Sequence, residues 1–230
     1  MGRLPATDRP PRLRRRCPVT TALTLEAPVN VPTTEPPEAS LAEALWQAWI
    51  SLELPEGYRA EIIEESIEVS PTGRFRHAAV SNRLRRALED YLPTPHVVYT
   101  DVNVIHDLQV FIPDLLIAPE DDKAELTADG LGLDVSCVEL VVEVVSPGRA
   151  STVRDRERKR AAYARAGIPV YVLIDDHDIH GTVSILTSPS PTEAVYQAST
   201  RVPYGKEAAI PEGAAKGFVI TEAITGPARD

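Results

Sequence analysis

The distribution of apolar residues along the chain predicts alternating helices and strands from residue 40 onward. Helical spacing occurs in "SLAEALWQAWISLEL", which begins at Ser40 with an S-x-x-E capping box, and again in "FRHAAVSNRLRRALEDYL". Between them, "YRAEIIEESIEVSPTG" predicts two short strands around a polar Glu64-Glu65-Ser66 turn. The folded part therefore starts with a helix, a β-hairpin and a longer amphipathic helix.

The rest of the pattern predicts a sheet with a crossover connection. We expect strands at about 97–106 and 110–118, an acidic loop at 119–134 and a buried strand at 138–148. "STVRDRERKRAAYARAG" then predicts a helix that stops at Gly167, and "IPVYVLIDD" predicts another buried strand. So long a connection favours parallel pairing, and strands near 182–187 and 194–202 add an antiparallel edge. The predicted fold class is α/β (α+β), with helices flanking a mixed central sheet.

The N-terminal segment differs from the rest in composition. Residues 1–39 are rich in proline and arginine and lack a periodic apolar pattern, so we interpret them as a disordered arm before a single domain at 40–230. Repeated prolines and Glu26 interrupt anything like a signal peptide, and no apolar run is long enough for a membrane span. Cys17 and Cys137 are too few for a disulfide framework, so we expect a cytoplasmic protein.

The charge distribution constrains the expected partners. The net charge is -10, but residues 1–16 contain six arginines and one aspartate, so the remainder holds 18 basic and 33 acidic side chains. An acidic domain repels polyphosphates at long range. Contact with DNA therefore requires a local basic patch or screening cations, and we expect DNA binding to be weak or partner-assisted.

Two carboxylates interrupt apolar strands. In "VELVVEVVSPG", the period of two places Glu143 on the same face as Val141 and Val145, and in "VFIPDLLIAP", Asp114 directly follows a proline. Burying an ionised carboxylate is costly unless a cation or several donors compensate it. Each acid alone has a simpler explanation, as an edge residue or the partner of an arginine. Two of them on neighbouring segments indicate a functional site.

The helix after Glu143 offers a cation. Asp155, Lys159 and Tyr163 are spaced by four, so they share one helix face that the crossover places over the sheet. A simple Asp155–Lys159 pair, worth ~0.3–0.5 kcal/mol, explains that spacing when it is taken alone. With Asp114 and Glu143, however, the lysine predicts metal-assisted phosphodiester hydrolysis. Carboxylates bind Mg²⁺ or Mn²⁺, and the lysine orients or deprotonates water and offsets charge.

These stretches together resemble the Uma family of restriction-endonuclease-like proteins, within the PD-(D/E)xK nuclease superfamily. The matching segments are "YRAEIIEESIEVSP" with His77, "PDLLIAPE", "LVVEVVSPG" and "DRERKRAAYARAGIPVYVLID", within roughly residues 40–190. The resemblance implies that Asp114 and Glu143 are metal ligands, that Lys159 is the catalytic lysine and that Glu61 is an additional ligand. The superfamily's usual lysine position is held here by Val145, and Uma-like proteins place the lysine on the following helix.

The resemblance gives His77 a supporting role, either through a phosphate or as a cap of its helix, and we add Asp155 and Tyr163 as supporting residues. We therefore expect a Mg²⁺-dependent endonuclease that acts on DNA. The competing hypothesis is a non-catalytic descendant that keeps the fold and acts as an interaction module. A homodimer is compatible with either function.

Overall fold

The computed structural model describes residues 40–71, 73–120, 127 and 130–229. The predicted arm at 1–39 and half of the predicted acidic loop, namely residues 121–126, 128 and 129, lie outside these residues. The helices are α1 (Leu41–Ile50), α2 (Phe75–Tyr91), α3 (Arg149–Val153), α4 (Lys159–Arg165) and α5 (Glu222–Thr225), with a 3₁₀ turn at Val135–Cys137 and a π-helical segment at Arg154–Arg158. None of the helices in the described ranges combines the length and apolar character needed to cross a bilayer.

The strands form two large sheets and one small sheet. They are β1 (Tyr58–Ile63), β2 (Ser66–Pro71), β3 (His96–Tyr99), β4 (Val104–His106), β5 (Gln109–Phe111), β6 (Leu115–Pro119), β7 (Leu133–Asp134), β8 (Leu140–Val144), β9 (Val170–Asp175), β10 (Thr182–Ser190), β11 (Val195–Pro203), β12 (Ala208–Ala209) and β13 (Val219–Ile220). The larger sheet has the order β11-β10-β9-β8-β6-β3, the five-stranded sheet has the order β2-β1-β5-β4-β7, and β12 pairs with β13.

The pairing directions confirm the main features of the predicted fold. Strands β1 and β2 form the predicted N-terminal hairpin, β8 and β9 are parallel, and β10 and β11 extend the sheet as an antiparallel edge. The architecture is mixed α/β, with helices packed against mixed sheets. The expected central sheet is in fact divided between a six-stranded and a five-stranded sheet.

Two predicted strands were wrong in extent. The segment 97–106 is divided into β3 and β4, and 110–118 into β5 and β6, and in each case the two parts belong to different sheets. The first division occurs at Asp101, whose φ of 56° reverses the chain. The second occurs at Pro113, which has no N–H to continue a ladder. The chain thus leaves the six-stranded sheet after β3 and returns to it at Asp114.

The central strands β8 and β9 of the six-stranded sheet are buried on both faces. On β8, Leu140, Val142 and Val144 point into one core, which includes Val80, Leu84 and Leu88 of α2. Val141 and the following Val145 point into the other core, with Tyr163 of α4 and Tyr171 of β9. The predicted alternation is therefore confirmed, and it places Glu143 on the face that α4 covers.

Helix α1 begins where the sequence predicts. Ser40 Oγ accepts from the backbone N of Glu43 at 3.3 Å, and the Glu43 carboxylate accepts from the backbone N of Ser40 at 2.8 Å, so the capping box is confirmed. At the other end, Trp49 Nε1 donates to the carbonyl of Ala60 at 2.8 Å. This hydrogen bond attaches α1 to the hairpin.

The predicted crossover helix consists of three parts. It begins at Arg149, continues as the π-helical segment Arg154–Arg158 and ends with α4, followed by Gly167 at φ 77°. The N–H of Lys159 bonds to the carbonyl of Arg154, five residues earlier. Such π-helical turns are frequent at functional sites. The uniform four-residue spacing expected for the face of Asp155, Lys159 and Tyr163 is thus altered, although all three side chains are buried.

Candidate active site

One face of the N-terminal hairpin carries charged residues into the interior. Arg59, Glu61 and Ile63 alternate on β1, and their cross-strand partners are Ser70, Glu68 and Ser66. The π-helical segment packs here, because Arg158 Nη2 donates to the carbonyl of Ile63 at 2.9 Å and to Ser66 Oγ at 2.7 Å. The hairpin therefore delivers Arg59 and Glu61 to the site, beside the helix that carries Lys159.

Asp114 lies at the point where the chain re-enters the six-stranded sheet. Its Oδ2 accepts from the backbone N of Val144 at 2.8 Å and lies 2.8 Å from His77 Nε2, while its Oδ1 accepts from Arg59 Nη2 at 3.1 Å. The Asp114 carboxylate thus accepts the hydrogen bond from the backbone N–H of Val144 in place of a carbonyl of a neighbouring strand. Asp114 was predicted inside a strand, and its position before β6 follows from the ladder donor that Pro113 lacks.

Glu143 and Glu61 share the ammonium of one lysine. Lys159 Nζ lies 2.9 Å from Glu143 Oε1 and 2.8 Å from Glu61 Oε1, and it also donates to the carbonyl of Ile112 at 3.3 Å. The three side chains are 2% or less exposed. We refer to Glu61, Asp114, Glu143 and Lys159 as the carboxylate centre. It joins the hairpin, the turn before β6, strand β8 and helix α4.

Two supporting residues also contact this region. Tyr163 Oη donates to Glu143 Oε1 at 2.5 Å, and Asp155 accepts from Arg154 Nε at 2.8 Å. Lys159 therefore does not form the simple ion pair with Asp155 that its spacing allows; it pairs with Glu61 and Glu143 instead. Both predicted residues are buried at the site, where Tyr163 is a hydrogen-bond donor to Glu143.

Asp114 and His77 favour each other's charged forms. Burial opposes the charge of Asp114, but His77, Arg59 and Lys159 outweigh it and hold the pKa of Asp114 well below its usual range. Burial likewise opposes a charge on His77, but the hydrogen bond and charge of Asp114 raise the pKa of His77. Asp114 is therefore ionised at neutral pH, and its contact with His77 favours the imidazolium.

The Glu143 side chain is in the opposite situation. Burial raises the pKa of Glu143; Lys159 counteracts this effect, while the neighbouring charge of Asp114 adds to it. Burial would lower the pKa of Lys159, but Glu143 and Glu61 outweigh it and raise that pKa above the ordinary value. One ammonium thus serves two buried carboxylates. The group of three keeps a net negative charge when both acids are ionised.

Two cavities open beside Arg59. The Asp114 cavity, of about 260 Å³, is lined by Arg59, His77, Arg85, Asp101 and Asp114, together with neighbouring small and polar residues. The second, of about 160 Å³, adjoins Ser70 and shares Arg59 and Gly73 with the first, and we call it the Ser70 cavity. Arginine and histidine therefore surround the place where the carboxylate centre reaches the surface, although the chain is acidic overall.

The predicted site residues come together, but their predicted roles are separate questions. Within the described ranges, no three His, Cys, Asp or Glu side chains are arranged to hold a metal ion. The metal-ligand roles of Glu61, Asp114 and Glu143, and the catalytic role of Lys159, remain predictions. The expected helix cap by His77 is wrong, because the N-cap of α2 is Arg74 and His77 contacts Asp114.

Arg59 and Arg154 were missed by the sequence analysis. Arg59 alternates with Glu61 in "YRAEII", so the period of two that singled out the acid also placed the arginine on its face. For Arg154 the sequence offers a weaker signal, because it is one of several arginines in "VRDRERKR". Only the structure distinguishes Arg154 from the neighbouring arginines, because its side chain is mostly buried and bonds to Asp155.

A mixed α/β fold with buried acids and a lysine on neighbouring elements is the class of architecture expected for restriction-endonuclease-like proteins. The model of the Uma2 family, described as "Putative restriction endonuclease", matches residues 46–223, and the chain belongs to this family. The predicted family and fold are thereby confirmed. A search of curated proteins found no match.

A solved structure supports the fold independently. The crystal structure described as "a putative nuclease belonging to DUF820" from Anabaena variabilis is similar to this chain, with a TM-score of 0.60. The match covers 79% of this chain and 97% of that chain, at 14% sequence identity. At that identity the similarity concerns the fold alone.

Proposed function

We propose that this protein is a Mg²⁺-dependent endonuclease that hydrolyses DNA phosphodiester bonds at the carboxylate centre. The observation that carries the proposal is the position of Asp114. This ionised side chain is bonded to the strand of Glu143 and lines a cavity with Arg59, His77 and Arg85. A phosphate in that cavity would meet Arg59, Arg85 and His77, although Asp101 and Asp114 also line it and Arg59 is already paired with both aspartates.

The donor atoms suit a hard divalent cation in kind, although in the described residues no three such side chains are arranged around one ion. The described hydrogen bonds of Glu61 and Glu143 use Oε1 of each side chain and leave Oε2 of each without such a bond. The two acids carry a net negative charge beside the single ammonium only when both are ionised, and burial raises the pKa of Glu143 to about 8, so a divalent ion would bind in exchange for the proton of Glu143. Carboxylate oxygens are preferred ligands of Mg²⁺, so Asp114 and Glu143 would hold the ion, with Glu61 as a further ligand. When bound, Mg²⁺ would supply a more acidic water and offset charge on the phosphate.

The residues of the chain have distinct roles in this proposal. Lys159 is held in the ammonium form by two carboxylates, so it orients water and offsets phosphate charge but does not act as the base. Tyr163 fixes the orientation of Glu143 through its hydroxyl, and His77 fixes Asp114. Arg59 links Asp114 to the cavity wall, where its guanidinium lies close to an entering phosphate.

A non-catalytic interaction module is the second candidate function, and the saturation of Lys159 favours it. The ammonium donates to Glu143 Oε1 and to the carbonyl of Ile112 and forms an ion pair with Glu61 Oε1 at 2.8 Å, and the side chain is 0% exposed. A lysine with that environment is also what a purely structural ion group requires. The two candidates differ in whether the protein cleaves DNA and, if it does, whether cleavage depends on the acids.

Cleavage assays distinguish the two candidates. We expect the purified protein with Mg²⁺ or Mn²⁺ to cleave plasmid, linear or single-stranded DNA, and Asp114→Asn and Glu143→Gln to lose at least ~10²-fold in single-turnover rate. Glu139→Gln is the matched control, because Glu139 lies just before the same strand and binds His96 instead. Circular dichroism verifies the fold of each variant. Equal rates in all variants, or no cleavage by the wild type on any DNA, would favour the non-catalytic module.

A thermal shift measures the ion without requiring cleavage. Mg²⁺ should raise the melting temperature through the mass-action term, about 2.7 kcal/mol at a concentration of 100 Kd. The increase should disappear in Asp114→Asn and Glu143→Gln and persist in Glu139→Gln. The same increase in all four proteins would show that the ion binds away from the carboxylate centre.

A further inference from the structure

We propose that the Ser70 cavity is a binding site for a phosphate group. Three arginines and three serines contribute to its wall, namely Arg59, Arg74, Arg154, Ser70, Ser146 and Ser151. The described residues that line it include no aspartate and no glutamate. In a chain with net charge -10, such a concentration of guanidinium and hydroxyl groups is a specific local feature.

Two buried polar atoms at this cavity lack a partner. Ser70 is 9% exposed, and its Oγ is buried without a hydrogen bond, as is Nε of Arg59. Most buried polar atoms in folded proteins are paired, so two unpaired ones on cross-strand neighbours require an explanation. A guanidinium Nε–H can only donate. Arg59 Nε and Ser70 Oγ are themselves almost inaccessible, so a phosphate oxygen in the cavity would reach them after a small shift of these side chains and would supply the acceptor that the Arg59 Nε–H lacks.

Further donors of the cavity are also available. Arg154 uses Nε for Asp155, and none of the described hydrogen bonds uses its two terminal nitrogens. Arg74 takes part in none of the described ion pairs and is exposed. Guanidinium groups bind phosphate oxygens in a planar, two-pronged geometry, which favours phosphate over a spherical anion such as chloride.

The size of the cavity limits the ligand. A volume of about 160 Å³ is below the ~300–1,000 Å³ of pockets for drug-sized molecules, so it accommodates a phosphate group and not a whole nucleotide. The Ser70 cavity shares Arg59 and Gly73 with the Asp114 cavity. A DNA strand at Asp114 would thus place a neighbouring phosphodiester, or a terminal phosphate, in the Ser70 cavity. That last assignment rests on the proposed function, whereas phosphate binding itself does not.

Calorimetric titration with inorganic phosphate, at ionic strength matched with chloride, tests the site in the full-length protein. We expect Arg74→Gln to weaken phosphate binding about 10-fold and Ser70→Ala to weaken it about 2- to 10-fold. Arg86→Gln, which removes an exposed arginine of α2 outside this cavity, should bind as the wild type does. Ser70→Ala should fold normally, because it removes an unpaired hydroxyl. No phosphate binding, equal binding in every variant, or equally tight binding of acetate would overturn the proposal.

Oligonucleotides with and without a 5′-phosphate identify the source of the phosphate, in binding assays without a divalent ion. If Arg74→Gln weakens only the 5′-phosphorylated strand, the site takes a terminal phosphate. If it weakens both strands, the site takes an internal phosphodiester. Unchanged affinity for both strands would overturn the assignment to DNA. Phosphate binding in a protein that cleaves no DNA would sustain this site and reject the proposed nuclease activity.

Discussion

Two clusters within the described part of the chain combine carboxylates with cationic and tyrosine partners. In the Asp176 cluster, Asp176 accepts from Arg76 Nε at 2.8 Å, Arg229 Nη2 at 2.5 Å and Tyr204 Oη at 2.8 Å. Two guanidinium groups thus serve one carboxylate near the surface. In the carboxylate centre, one ammonium serves two acids in the interior.

The difference in charge balance and burial gives opposite effects on the acids. Burial opposes the charge of Asp176, but the hydrogen bonds of Arg76 and Tyr204 outweigh it and lower the pKa of Asp176 to about 2. For Glu143, burial is the larger effect and raises the pKa. The Asp176 cluster therefore stabilises the fold by joining α2 to the C-terminal segment. The carboxylate centre, in contrast, holds several acids close together in the interior, and their mutual repulsion is not what a purely stabilising cluster requires.

Removing the cation should have the largest effect and should separate the two regions clearly. Lys159→Met leaves two buried carboxylates without their ammonium, so we expect a loss of ~3–5 kcal/mol in the free energy of unfolding. Arg76→Met leaves Arg229 with Asp176, so we expect a loss of only ~1 kcal/mol. Urea denaturation at pH 7 measures both. Similar losses would contradict the distinction, and adding Glu143→Gln to Lys159→Met should recover part of the stability.

Removing the tyrosine hydroxyl is a smaller and better matched change. Tyr163→Phe deletes a donor to a fully buried carboxylate, and we expect a loss of ~1.5–3 kcal/mol in the free energy of unfolding. Tyr204→Phe deletes a donor to an acid that retains two arginines, and we expect ~1 kcal/mol or less. Denaturant curves of the two variants under identical conditions make the comparison. A larger loss for Tyr204→Phe would show that Asp176 is the more dependent acid.

The smallest expected effect is a dependence on pH. A lowered folded-state pKa means that Asp176 contributes stability above its unfolded pKa of about 3.9, and that this contribution is lost as the pH falls through about 2. Solvent screening limits it to roughly 1 kcal/mol. Asp176→Asn should thus be less stable than wild type at pH 7, and the difference should shrink between about pH 4 and pH 2. A difference that stays constant with pH would show that the charge of Asp176 contributes nothing.

Local sequence signals predicted the elements that depend on neighbouring residues. The capping box at Ser40 fixes its own helix start, and the period of two in "LVVEVV" indicates that Glu143 faces away from Leu140 and Val142. Both features depend on residues within a few positions of each other. The grouping of Asp114, Glu143 and Lys159 followed from the same periodicities combined with the family resemblance.

Features set by distant contacts could not be predicted from these patterns. The segment 110–118 is apolar apart from Asp114, so periodicity does not reveal that its two halves enter different sheets. The π-helical segment is held in place by contacts with the hairpin that are distant in sequence. Arg158 bonds to Ser66, 92 residues earlier, and the next residue, Lys159, pairs with Glu61, 98 residues earlier. Arg229 reaches Asp176 across 53 residues. Such contacts form because the tertiary fold brings distant residues together, and local residue spacing does not predict them.

The π-helical segment also determines how far α4 is rotated about its own axis relative to the sheet. Each residue of an α-helix advances by about 100°, so one extra residue in a turn changes which side of α4 faces the sheet. Loss of a single residue between Arg154 and Arg158 would turn Lys159 and Tyr163 together away from Glu143, with every side chain of the centre still present in the sequence. The sequence thus specifies the residues of the site and their orientation separately: the side chains by their identity, and the orientation by the number of residues in the π-helical segment.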